Sequence, residues 1–101
     1  MKALLNTSFF FAPAAESSVR AALRDHWIPA SNAVGTGPAI CLALPDEEGI
    51  CRLAIQTPFD NAESAQRFCE TITAQVAAPL LGKLGADSFT CFSTIMEIID
   101  L

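Results

Sequence analysis

Residues 40–55 read Ile-Cys-Leu-Ala-Leu-Pro-Asp-Glu-Glu-Gly-Ile-Cys-Arg-Leu-Ala-Ile. Two apolar runs flank an acidic segment that ends in Gly49, which is typical of a β-hairpin. If Leu44 pairs with Cys51, the large aliphatic side chains of both strands gather on one face of the sheet. The other face then carries small or weakly polar side chains: Ala39, Cys41, Ala43, Arg52, Ala54 and Gln56.

A strand and a helix are predicted before the hairpin. Lys2–Phe11 has its more apolar residues at odd positions, which indicates a strand. From Glu16 to about Ala33, apolar side chains recur at spacings of three and four, which predicts a helix with one buried stripe. Pro29 falls inside this pattern, so we expect a kink or a break one turn earlier.

A second helix and a last strand are predicted after the hairpin. Asp60 is the expected N-cap, with Glu63 completing a capping box. Helical spacing then continues to Ala78, and Pro79 is expected to end it and leave a short extra turn. The segment 88–99 is apolar on both sides, which predicts a strand that is covered on both faces.

The order strand, helix, strand, strand, helix, strand predicts one α+β domain over residues 1–101. Two right-handed crossovers in one sheet give the ferredoxin-like βαββαβ arrangement, a four-stranded antiparallel sheet with both helices on one face. The opposite face is left bare. Because small side chains let two sheets approach closely, we expect a homodimer joined sheet to sheet. The predicted interface residues are Cys41, Ala43, Arg52, Ala54 and Gln56.

Composition excludes several partners and sites. Only 17% of the 101 residues are charged, which favours a surface that meets another subunit or a ligand, and the net charge of -5 argues against nucleic acid. No apolar run is long enough to span a membrane as a helix. The four cysteines lie in apolar runs without zinc-ligand spacing, so we expect free thiols, no metal site and a cytoplasmic protein.

Several short motifs carry a resemblance to a known family. They are the start of the first helix at Glu16–Val19, the segment His26–Pro29, the turn at Thr36–Gly37, and Gly85–Phe89 before the last strand. With the hairpin between them, these segments resemble a family of short bacterial proteins of unknown function that have the dimeric α/β-barrel type of ferredoxin-like fold. Trp27 stands where that family has a histidine, and this departure weakens the inference of a histidine role from the resemblance. The broader group includes cofactor-free monooxygenases, isomerases and proteins without an assigned activity.

No specific catalytic signature is present in the sequence. His26 is the only histidine, and His26 and Trp27 are the candidate ligand-binding residues. We therefore expect a small homodimeric protein without a cofactor that binds a small ligand or a protein and is not an enzyme. The alternative is a cofactor-independent enzyme of the monooxygenase or isomerase type, with a pocket between the sheet and the first helix and His26 as proton acceptor.

Overall fold

A computed structural model describes residues 1–101 as six main elements with short connections. Each helix is continuous and contains one wider turn. The strands are β1 (Ala3–Phe11), β2 (Ile40–Glu47), β3 (Ile50–Phe59) and β4 (Phe89–Glu97). Helix α1 consists of Glu16–Ala22, Leu23–Trp27 and Ile28–Val34, and helix α2 consists of Ala62–Ile72, Thr73–Ala77 and Ala78–Leu84. Neither helix combines the length and the apolar character needed to cross a bilayer.

The four strands form one antiparallel sheet in the order β2-β3-β1-β4. Strand β1 lies in the interior of the sheet, paired with β3 on one side and β4 on the other. The predicted βαββαβ order and antiparallel sheet are therefore confirmed. The odd-numbered residues of β1 are buried, as their apolar character predicted.

Both helices pass through a proline without breaking. Leu23–Trp27 and Thr73–Ala77 are π-helical turns, and Pro29 and Pro79 each follow two residues later. The N–H of the residue before each proline bonds to the carbonyl five residues earlier. This wider turn makes room for a ring that would otherwise clash with the preceding turn. The irregularity predicted before Pro29 is present as a wide turn, whereas Pro79 does not end its helix as predicted.

The start of α2 differs by one residue from the prediction. Asn61 is the N-cap, and its side-chain oxygen accepts a hydrogen bond from the backbone N–H of Ser64 at 2.8 Å. Glu63 makes an ion pair with Arg67 at 3.0 Å, one helical turn later. Asp60 therefore does not cap the helix, because its neighbour supplies the acceptor.

The hairpin between β2 and β3 has a two-residue turn. Glu48 and Gly49 have φ angles of 53° and 78°, the positive values that a type I′ turn requires. Glu47 pairs with Ile50, and an extra residue in β2 then shifts the pairing so that Leu44 lies opposite Arg52. The predicted pairing of Leu44 with Cys51 is therefore wrong by one residue.

A shift of one residue exchanges the two faces of β2. Cys41 and Ala43 lie opposite Ile55 and Leu53, on the face that packs toward the helices. The large aliphatic residues of the strand, Ile40, Leu42 and Leu44, lie on the bare face instead. The prediction that placed Cys41 and Ala43 on the bare face is corrected by this register.

The core lies between the helices and the inner face of the sheet. Trp27 is its largest fully buried side chain, and its ring meets Phe9 edge to face with centroids 4.9 Å apart. A second, smaller cluster forms around Leu5, Phe59 and Ala65. Burial is thus concentrated under α1 and α2, and on the outer face of the sheet only Ala54 is buried.

Candidate binding surfaces

The face of the sheet opposite the helices is uncovered and largely apolar at its edges; we call it the open sheet face. Its members follow from the strand registers: Leu4, Asn6, Ser8, Phe10, Ile40, Leu42, Leu44, Arg52, Ala54, Gln56, Pro58, Thr90, Phe92, Thr94 and Met96. Ile40 is 54% exposed and Phe92 is 58% exposed. Large exposed apolar side chains gathered on one face are typical of an interaction surface.

The open sheet face has a small and polar centre between two bulky edges. Ala54 and Ser8 occupy the middle, beside a hydrogen bond of 3.1 Å that Gln56 donates to Asn6. The larger apolar side chains stand at the edges: Ile40, Leu42 and Leu44 on β2, and Phe92 and Met96 on β4. The face therefore carries larger and more apolar side chains at its edges than the flat, small-residue face that we predicted.

Arg52 lies on the open sheet face and is held by its own hairpin. Its Nε and Nη2 atoms donate to the carbonyl of Pro45 at 3.0 and 2.9 Å, and its Nη1 lies 3.2 Å from Glu47. These contacts bridge the bulge in β2. The guanidinium is thus neutralised within the chain, which lowers the cost of placing it at an interface.

A cleft opens on the other side of the sheet, between α1 and β2; we call it the α1–β2 cleft. All eight residues of β2 are exposed, so neither helix covers this strand. The cleft has a volume of about 310 Å³ and is lined by Arg20, Leu23, Arg24, Ile28, Cys41 and Leu53. The predicted pocket between the sheet and the first helix thus has a counterpart in the structure, with a different set of lining residues.

Two arginines and a thiol give the α1–β2 cleft its polar character. The Nε of Arg20 lies 2.8 Å from Glu16, and Arg24 donates to both carboxylate oxygens of Asp25 at 2.9 and 3.2 Å. The hydrogen bond from Arg24 lowers the pKa of Asp25. Desolvation raises the pKa of the Cys41 thiol, against the opposing charge of Arg20. At neutral pH the cleft is therefore lined by two arginines, each paired with a carboxylate, and by an uncharged thiol.

The two predicted ligand-binding residues do not form one site. Trp27 is 1% exposed and packs in the core, so it presents no surface to a ligand. His26 is exposed and lines a groove of about 270 Å³ between α1 and α2, together with Gln75. Its neighbour Asp25 is engaged by Arg24. Adjacent positions on a helix point in different directions, which is why His26 and Trp27 separate.

The sequence interpretation missed Arg20 and Arg24 as site residues. Two arginines four positions apart lie on one helix face, where like charges repel, and that spacing was the available signal. The sequence does not show that these arginines and Cys41 line the same cleft, because that proximity depends on the register of β2. All four cysteines are free thiols in the structure, and no group of three or more His, Cys, Asp or Glu side chains is arranged to hold a metal ion.

Comparison with known proteins gives structural matches only, since no protein-family model and no curated protein matches the sequence. A dimeric ferredoxin-like protein from an uncultured marine organism superposes with a TM-score of 0.72 at 8% identity, covering 99% of this chain and 97% of that one. A second dimeric ferredoxin-like protein of marine origin has a TM-score of 0.65 at 19% identity and covers 98% and 96%.

A third match is an ethyl tert-butyl ether D family protein from Bacillus halodurans. It has a TM-score of 0.60 at 14% identity, with coverage of 98% of this chain and 100% of that one. At these identities the likeness establishes architecture and leaves activity open. Together with the strand order and the two crossover helices, it shows that the chain has the ferredoxin-like α+β fold.

Proposed function

We propose that this protein is a homodimeric, non-catalytic binding module, built from a single domain of residues 1–101. Two copies join through the open sheet face, and each takes a small ligand in its α1–β2 cleft. The observation that carries the proposal is the large apolar sheet face that no helix covers. Free thiols in all four cysteines support a cytoplasmic location.

The chemistry of the open sheet face supports a second copy as its occupant. It is unfavourable to leave the aliphatic side chains on β2 and the aromatic side chain on β4 exposed to water. Burying them against another apolar surface is favourable. Sheets stack well when their inner faces carry apolar side chains, and an isologous contact lets one surface serve both subunits. Two structural neighbours that share this fold are described as dimeric, which agrees with the same assembly here.

The two surfaces lie on opposite sides of the sheet. Leu42 and Leu44 belong to the open sheet face, while Cys41 belongs to the α1–β2 cleft. Dimerisation through the open sheet face therefore leaves both clefts accessible. The net charge of -5 disfavours polyanionic partners such as nucleic acid, so we propose a small molecule as the ligand.

Sedimentation equilibrium at micromolar concentration tests the assembly. The wild-type chain is expected at twice the monomer mass. Leu42→Glu places a carboxylate on the open sheet face and is expected to give a monomer, because the charge must be desolvated at the contact. The neighbouring variant Ala43→Glu, on the other face of the same strand, is expected to remain dimeric.

Two outcomes would overturn the proposed assembly. One is a wild-type chain that stays monomeric at high micromolar concentration. The other is a reversed pattern, in which Ala43→Glu dissociates the dimer and Leu42→Glu does not. Circular dichroism of each variant shows whether the monomer is folded, so that loss of association is not mistaken for unfolding.

A further inference from the structure

We propose that the α1–β2 cleft binds a small carboxylate that carries an apolar body, such as a medium-chain acyl group or a small ring. This inference rests on the proposed function, since it names the class of ligand that the same cleft takes. It follows from three features of the cleft: its apolar floor, its two arginines and its neutral thiol.

The floor of the cleft accepts an apolar group. Leu23 and Leu53 are buried side chains of the core that also line the cleft, and Ile28 packs beside them. The volume of about 310 Å³ is at the lower end of the range for small-molecule sites. An apolar body of six to ten carbon atoms is roughly the size that such a site encloses.

The rim of the cleft favours a carboxylate. Arg20 and Arg24 contribute two of the six Lys and Arg side chains of an otherwise acidic chain, and both line this one cleft. A guanidinium binds a carboxylate through two parallel hydrogen bonds. Placing two such cations four residues apart on one helix face is unfavourable without an anion between or beside them.

Glu16 and Asp25 pair with these two arginines, so a ligand carboxylate has to compete with them. Their ion pairs with Arg20 and Arg24 are largely exposed to solvent, with the arginine side chains 56% and 72% exposed. Exposed pairs of this kind contribute little to stability and exchange readily. A ligand carboxylate whose apolar body is held on Leu23 and Leu53 can therefore compete for the same guanidinium groups.

The thiol of Cys41 is compatible with an anionic ligand. The ordinary pKa of a thiol lies above neutral pH and the pKa of Cys41 is raised further, so the thiol is uncharged and adds no negative charge to the cleft. It also reports occupancy, because a bound ligand blocks access to the sulfur. Cys69, which lines a separate groove with Cys91 and Phe92, provides an internal comparison.

Calorimetric titration of the wild-type protein with octanoate tests the class of ligand. Saturable binding is expected, and octanol, which lacks the charge, and acetate, which lacks the apolar body, are each expected to bind at least tenfold more weakly. Arg20→Gln and Arg24→Gln are each expected to weaken octanoate binding about fivefold or more, since each removes a charge-assisted contact. Alkylation of Cys41 by iodoacetamide is expected to slow when octanoate is present, while alkylation of Cys69 is unchanged.

Two control variants test whether octanoate binds in the α1–β2 cleft. Arg67 makes the same kind of exposed ion pair with a glutamate, but on α2, and Arg67→Gln is expected to bind octanoate like wild type. His26→Gln is expected to do so as well, because His26 lies in the other groove.

No saturable binding of octanoate, equal weakening by Arg67→Gln, or no protection of Cys41 would each overturn the proposal. Sedimentation of the same samples separates the two proposals: a dimer that does not bind octanoate refutes only the ligand class, and a monomer refutes the assembly.

Discussion

The rings of Phe10 and Phe92 stack across the β1–β4 pair with centroids 5.7 Å apart and planes inclined by 15°. They do so on the open sheet face, where no side chain of the same chain covers them from outside. Stacking shields one side of each ring and leaves the outer surface of Phe92 in solvent. In a dimer joined through this face, the pair would supply an aromatic anchor in each subunit.

Phe92→Ser is therefore expected to weaken the dimer much more than it destabilises the monomer. Burying a Phe side chain at an interface contributes about 2 kcal/mol to the free energy of association, and each of the two subunits buries one Phe92. The dissociation constant, measured by sedimentation over a dilution series, is expected to rise by at least tenfold. Thr94→Ser, a small change on the same face of the same strand, is the control and should leave the dissociation constant unchanged.

Trp27→Ala is expected to destabilise the fold by about 3–5 kcal/mol, because it removes the largest buried side chain and its contact with Phe9. Urea unfolding followed by circular dichroism measures the change. Trp27→Phe, which keeps an aromatic ring, should cost less. If Trp27→Ala cost less than 1 kcal/mol, Trp27 would not be the core anchor that its burial indicates.

Gly35→Ala is expected to destabilise the protein by about 1–3 kcal/mol, since an added Cβ would lie 2.9 Å from the carbonyl oxygen of Ser31 and 2.9 Å from Thr57 Cγ2. Gly82→Ala is the matched control in α2, where an added Cβ meets nothing within 4 Å. Alanine is the better helix former there, so a gain of about 0.5–1 kcal/mol is expected. Urea midpoints of the two variants should thus move in opposite directions, and equal shifts would contradict the packing described at Gly35.

Stability is expected to fall as the pH rises above about 8.5, the usual pKa of a thiol. Burial raises the pKa of Cys91, and the neighbouring Cys69 adds to this effect. Above the usual thiol pKa, the unfolded chain has released a proton that the folded chain retains, so rising pH favours unfolding. Urea unfolding at pH 7 and pH 9.5 measures this loss, and Cys91→Ala should reduce it. If Cys91→Ala and the wild type lost the same stability between pH 7 and pH 9.5, the raised pKa of Cys91 would be contradicted.

Much of the fold could be predicted from local pattern. The alternation in β1 and the four-residue spacing of Val19, Leu23 and Trp27 determine which side of each element is apolar, and these sides are buried as expected. The order of the elements then leaves few topologies, because crossovers in one sheet share a hand. Neither step requires knowledge of contacts between distant residues.

The site could be predicted only in part. Residue type alone makes His26 and Trp27 candidates, and the structure places His26 in a groove and Trp27 in the core. The sequence does not single out Arg20 and Arg24, because their place beside the cleft depends on a strand that is distant in sequence. The alternative, enzymatic interpretation predicts a pocket beside the first helix, but not the residues that line the α1–β2 cleft.

By itself, then, the sequence determined the elements, their buried sides and the ferredoxin-like arrangement, since each depends on periodicity and chain order. The tertiary structure alone decided the register of β2. There the type I′ turn at Glu48 and Gly49 and the bulge held by Arg52 shift the strand by one residue. Because side chains alternate along a strand, that one residue moves Leu42 to the open sheet face and Cys41 to the cleft. Both proposed binding surfaces follow from this shift.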